Sequence, residues 1–129
     1  MQVGSRALAA LLLFATTSLA AEQRITEAEA RNIVREALKA RNLDGPTVEL
    51  NPIAFEKDFY TFEATWPNPV GSPNLGSYSV NPWTGDIWQI VVCRYVTSPS
   101  IRKMQQSIRT RFHFSRRDYK RFHAKKPAC

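Results

Sequence analysis

Between Thr26 and Pro46 the sequence spells one amphipathic helix, and that helix constrains everything that follows it. Thr26 and Glu29 stand at capping-box spacing, so hydroxyl and carboxylate satisfy each other's backbone N–H groups at the helix start. Ala30, Ile33, Val34, Ala37 and Leu38 then recur at helical spacing, with Arg31, Arg35 and Lys39 on the opposite side. The helix ends near Asn42, where Asp44-Gly45-Pro46 is a strong stop. Such a stripe cannot stay in water, so a sheet or a second helix must cover it.

The chain beyond the stop reads as that sheet. Thr47 to Leu50 is a short strand, and Phe59 to Trp66 is a stronger one, with Tyr60, Phe62, Ala64 and Trp66 on one face and Thr61, Glu63 and Thr65 on the other. The Pro-, Gly-, Ser- and Asn-rich segment Pro67 to Asn74 is a loop. Gly76 to Val80 resumes the alternation, with Tyr78 and Val80 inward. Asn81-Pro82-Trp83-Thr84-Gly85-Asp86 is a tight reversal, in which Pro presets φ and Gly is free to take φ > 0. Ile87 to Cys93, nearly continuous in apolar residues, reads as a central strand. A second helix opens at Ser98-Pro99 and buries Ile101, Met104, Ile108 and Phe112; a third, short one is capped by Ser115 and carries Tyr119 and Phe122, before an end that looks frayed. The fold class is α+β: an N-terminal helix packed on a small antiparallel sheet of three to four strands, followed by one or two C-terminal helices.

The first residues have the layout of a secretory leader. Arg6 supplies the positive start, Ala7 through Ala15 an apolar run, and Ser18-Leu19-Ala20 a small-residue cleavage site. The apolar run is shorter than the roughly 20 residues of a membrane span. The chain therefore divides into a leader over 1–20, a domain over 21–112 and a basic tail over 113–129. The expected location is periplasmic or secreted. In an oxidising compartment the pair Cys93 and Cys129 suits a disulfide, which ties the tail to the sheet.

The front Ile25-Thr26-Glu27-Ala28-Glu29-Ala30 and the later Tyr78-Ser79-Val80-Asn81-Pro82-Trp83-Thr84-Gly85-Asp86-Ile87 resemble the PepSY family, whose members open on a Thr-x-x-Glu-Ala-like helix start and close on a Thr-Gly-Glu-like hairpin. The resemblance covers about Ile25 to Ile90 and makes 21–112 a PepSY-like domain. It implies a helix laid across an antiparallel sheet, an exported location and a role in binding or restraining a hydrolase. It carries over no catalytic residue.

Catalytic patterns are missing from the sequence: it has no H-E-x-x-H, G-x-S-x-G, glycine-rich phosphate loop or C-x-x-C. His113 and His123 both lie in the basic tail and, with Asp118 and Cys129, make a poor metal set; they read as surface histidines. Glu49, Glu56, Asp58 and Glu63 read as solvated strand-edge charges. No cofactor is expected. Trp66 and Trp88 fit the core-facing side of their strands, whereas Trp83 sits in a turn, where its ring either stands exposed as a binding anchor or packs against the Pro67 to Asn74 loop. Asn81, Trp83, Thr84 and Asp86, with the Pro67 to Asn74 loop, form one candidate contact surface.

The second candidate surface is electrostatic. The full chain carries +7, and the ten Lys and Arg between Arg102 and Lys126 face one acid, Asp118. Arg109, Arg111, Arg116 and Arg117 are its candidate partner-binding residues, interleaved with Phe112, Phe114, Tyr119 and Phe122. In the cytosol such a mixture suggests nucleic acid; behind an export signal it does not, and the polyanions left are envelope material and acidic proteins. The sequence thus points to a non-enzymatic binding protein that inhibits a partner hydrolase, as a protease-restraining module or an immunity protein against an envelope-targeting toxin. The alternative is a binder of anionic envelope material through the basic segment.

Overall fold

The computed structural model describes residues 23–67 and 73–129; the expected leader over 1–20 and most of the Pro67 to Asn74 loop lie outside them. Helix α1 spans Glu27–Ala40, with the Thr26–Glu29 capping box formed in both directions. It ends near Asn42, as expected: Ala40 is its last residue, Arg41 is the cap, Asn42 takes the left-handed φ of 57°, and the Leu43 N–H returns to the Leu38 carbonyl. All five stripe residues are fully buried.

What covers them is an antiparallel sheet of five strands in chain order: β1 (Glu49–Pro52), β2 (Tyr60–Thr65), β3 (Asn74–Val80), β4 (Ile87–Gln89) and β5 (Arg94–Val96). Leu50, Phe62, Ala64, Tyr78, Val80 and Ile87 form its core face. Helix α2 (Pro99–Phe112), capped by Ser98 with Pro99 in its first turn, lies beside α1 and adds Ile101 and Ile108 to the same core. Helix α3 (Arg116–His123) is capped by Ser115, whose hydroxyl accepts from the Asp118 N–H. The class is the expected α+β, with five strands where three to four were expected, because the run from Ile87 turns back and adds β5.

Two expectations fail, for local reasons. Ile87 to Cys93 is not one central strand. Its apolar run continues through a turn, where Val91 and Val92 are 80% and 55% exposed, and Cys93 adopts a left-handed φ of 50° that reverses the chain into β5. Trp66 is not in the core either. Register shifts between Ala64 and Thr65, β2 stops at Thr65, and Trp66 is left 48% exposed beyond the strand end. Trp88 is buried, but on the opposite sheet face from α1, edge-on to Phe59 and Tyr95.

That second face is partly roofed by the end of the chain, which is not frayed. Residues after α3 cross near Phe59, Trp88 and Tyr95, Pro127 is buried, and Cys129 is bonded to Cys93 with the two Cα atoms 5.5 Å apart. The disulfide therefore anchors a strap between the β4–β5 turn and α3.

Two stability predictions follow from these contacts. Replacing both cysteines by serine removes the closure of a 36-residue separation and costs roughly 3 to 4 kcal/mol on the chain-entropy model, read as a lower urea midpoint. Gly85 has a φ of +75°, and a Cβ there would lie 2.7 Å from Ile108 Cδ1 and 3.2 Å from Ile33 Cδ1. Gly85→Ala is accordingly expected to destabilise by about 1 to 3 kcal/mol, in the same assay.

Candidate functional site

The Asn81–Asp86 reversal is sealed inside the molecule, so it is not the exposed contact surface its turn chemistry suggests. Every residue from 81 to 88 is buried. Asn81 Oδ1 accepts from the N–H groups of Trp83 and Thr84 at 2.9 and 3.2 Å, which shapes the turn, while its Nδ2 donates to the Phe122 carbonyl at 2.9 Å. Trp83, 3% exposed, stacks on Phe122 with centroids 4.9 Å apart, and Arg24 and Lys125 lie over its ring. The exposed alternative for Trp83 fails because α3 folds back over the turn.

Asp86 closes the other end of the reversal. Its carboxylate, 3% exposed, accepts from the Thr84 hydroxyl at 2.6 Å and the Tyr95 hydroxyl at 2.9 Å, and lies 2.7 Å from His123 Nδ1. Three partners offset the cost of taking a carboxylate out of water. Sequence reasoning assigned no role to Tyr95 and left His123 as a surface residue. Nothing local couples either to Asp86, since His123 stands 37 positions away. The Thr84 and Tyr95 hydroxyls both donate to the carboxylate, and Thr84 and Asp86 are themselves buried. Among the described residues no group of three His, Cys, Asp or Glu side chains is placed to hold a metal.

The charged candidates stand outside. Arg109, Arg111, Arg116 and Arg117 are all exposed. Arg111 pairs with Glu29 across the α1–α2 seam, and Arg109 lies 4.0 Å above the Tyr119 ring. The Arg109–Tyr119 contact, together with Gln105 on the Gly85 carbonyl and His123 on neighbouring Asp86, shows α3 doubling back alongside α2. Arg116 and Arg117 have no carboxylate within ion-pair distance among the described residues. At the α1–α2 seam, Ile33, Met104 and Ile108 floor a groove of about 290 Å³ with Lys103, Ser107 and Arg111 along one wall and Glu29 and Asn32 along the other. Burial pushes the Glu29 carboxyl up, but the Arg111 guanidinium and the Thr26 N–H outweigh it and hold Glu29 below its ordinary 4.5.

Glu49, Glu56, Asp58 and Glu63 are exposed or half-buried on or beside β1 and β2. Glu56 and Asp58 share a surface hollow with Lys125 and Lys126 of the strap. No helix among the described residues is long and apolar enough to cross a membrane.

The Asp86 cluster has a pH signature. Burial first, then the neighbouring Asp86 charge and the hydrogen bond to it, push the Tyr95 phenol from 10.0 up to about 12. Because the folded value is raised, the stabilisation is complete below pH 10 and is lost as pH climbs from 10 through about 12. Denaturant titrations across that window should show stability falling in the wild type. Tyr95→Phe is expected to begin less stable and fall less steeply; parallel curves would exclude the coupling.

No family model and no curated protein matches the chain. A solved structure does share its fold: a chain in the structure of a type VI secretion system effector–immunity complex from Pseudomonas protegens superposes with a TM-score of 0.62 and 23% identity, over 78% of this chain and 87% of that one.

Proposed function

We propose that this chain is a non-catalytic, exported binding protein that neutralises a partner hydrolase or toxin acting on the cell envelope, in the manner of an immunity protein. The observation that carries this reading is the shared fold with a chain of a type VI effector–immunity complex, extending over most of both chains. Three further features support it. The polar cluster around Asp86 ties the β3–β4 turn to β5 and α3, with Thr84 and Asp86 buried instead of lining a cleft. The Cys93–Cys129 disulfide suits an oxidising compartment outside the cytoplasm. The sequence segments 25–30 and 78–87 resemble the PepSY pattern, a resemblance that implies a role in restraining a hydrolase.

The reading is tested by toxicity and rescue. The products of the genes on either side of this chain's gene are each directed to the periplasm of a sensitive host, with and without this chain. Expected are lysis or growth arrest by one product alone, full rescue on co-expression, and a stable complex of the two purified proteins. Neighbouring products that form no complex with this chain, and whose effect on growth it leaves unchanged, would overturn the proposal.

A further inference from the structure

The C-terminal helices carry far more positive charge than the fold uses. Of the basic side chains on α2 and α3, Arg111 is neutralised by Glu29 and Arg121 by Asp118, and Arg109 rests on Tyr119. Arg102, Lys103, Arg116, Arg117 and Lys120 are exposed and meet no carboxylate among the described residues. Packing such charges onto adjacent helices costs stability through mutual repulsion. Among the described residues, Glu49, Glu56, Asp58 and Glu63 form no ion pair with any of these five.

We propose that the partner meets this chain with an acidic surface, docked across the outer faces of α2 and α3 and placing an apolar side chain in the α1–α2 groove. This rests on the reading of the chain as a binder of a protein partner, and names the face and chemistry of that contact. Charge complementarity selects an acidic ligand, and two observations favour a protein over a polymer or lipid. The charges are mounted on two capped, packed helices, so their spacing is fixed, and arginine's planar fork matches carboxylates at fixed spacing. Half-buried Met104, lying over the buried Ile33 and Ile108 and beside the cationic Lys103 and Arg111, sets an apolar groove next to charge, the arrangement of a protein hot spot with a polar rim.

The test uses the whole mature chain and the partner captured in the rescue experiment. A quadruple reversal, Arg102→Glu, Lys103→Glu, Arg116→Glu and Arg117→Glu, places acids in the first two turns of α2 and α3, where the helix dipole accepts them, so the fold is kept and checked by thermal unfolding. It is expected to weaken binding by roughly a hundredfold or more, mostly through slower association and loss of salt sensitivity. Ser107→Trp, at an exposed position lining the groove, is expected to weaken binding by roughly tenfold with the salt dependence unchanged. Glu49→Lys with Glu63→Lys, on β1 and β2, should leave affinity within about twofold. In a parallel arm, vesicles of phosphatidylglycerol and of phosphatidylcholine are offered to the wild type.

An affinity unaltered by the quadruple reversal overturns this inference while leaving the binding function standing. So does tight, salt-sensitive capture by phosphatidylglycerol vesicles with partner affinity unaffected by either set of variants. Absence of any complex with the wild type overturns the functional reading, and this inference with it.

Discussion

The turn between β3 and β4 places a carboxamide and a carboxylate, Asn81 and Asp86, where water does not reach, and most of the architecture can be understood as meeting their hydrogen-bonding needs. Asn81 shapes the turn with its oxygen and grips the Phe122 carbonyl with its nitrogen. Asp86 gathers Thr84, Tyr95 and His123. Removing any one partner from a buried polar group leaves a desolvated atom unpaired, which costs more than the bond itself is worth. The N-terminal approach is fixed here too, since the Ile25 N–H donates to the Pro82 carbonyl. One six-residue segment thus joins the start of α1, Gln105 of α2, the edge strand β5 and the C-terminal end of α3.

This centrality explains how the sequence can be read correctly in its parts and misread in their relation. The capping box, the α1 stripe and the Ser98-Pro99 start are local signals, each settled within a few residues, and each stands in the structure where the spacing puts it. The Asn81–Asp86 reversal is equally legible as a turn. Its burial is not, because the lid arrives from Phe122 and His123 some 40 residues later. Ile90 to Val92 mislead for a related reason: apolar content reads as strand, while the reversal is dictated by the backbone at Cys93 and the bond it makes to Cys129. Trp66 misleads because alternation continues in the sequence one residue past the point where pairing shifts.

The candidate contact surface follows the same division. Exposed charge on an amphipathic helix is visible from spacing alone, and Arg109, Arg111, Arg116 and Arg117 do face solvent. Which of them are already occupied is a tertiary fact: Arg111 is met by Glu29 from α1, and Arg109 by the Tyr119 ring. The α1–α2 groove, assembled from helices that lie far apart in the chain, has no counterpart in any local pattern. Recognition surfaces of this kind belong to the assembled molecule.

The position of α3 bears on how the lid is held. The Asn81–Phe122 bond spans 41 residues and the Asp86–His123 contact 37. Without α3, Asn81 Nδ2 and one side of the Asp86 carboxylate would lose these partners. The Cys93–Cys129 bond fastens the strap beyond α3 to the β4–β5 turn, so the lid is held at both of its ends. A nick in the chain between α2 and α3 would therefore leave the two pieces covalently joined.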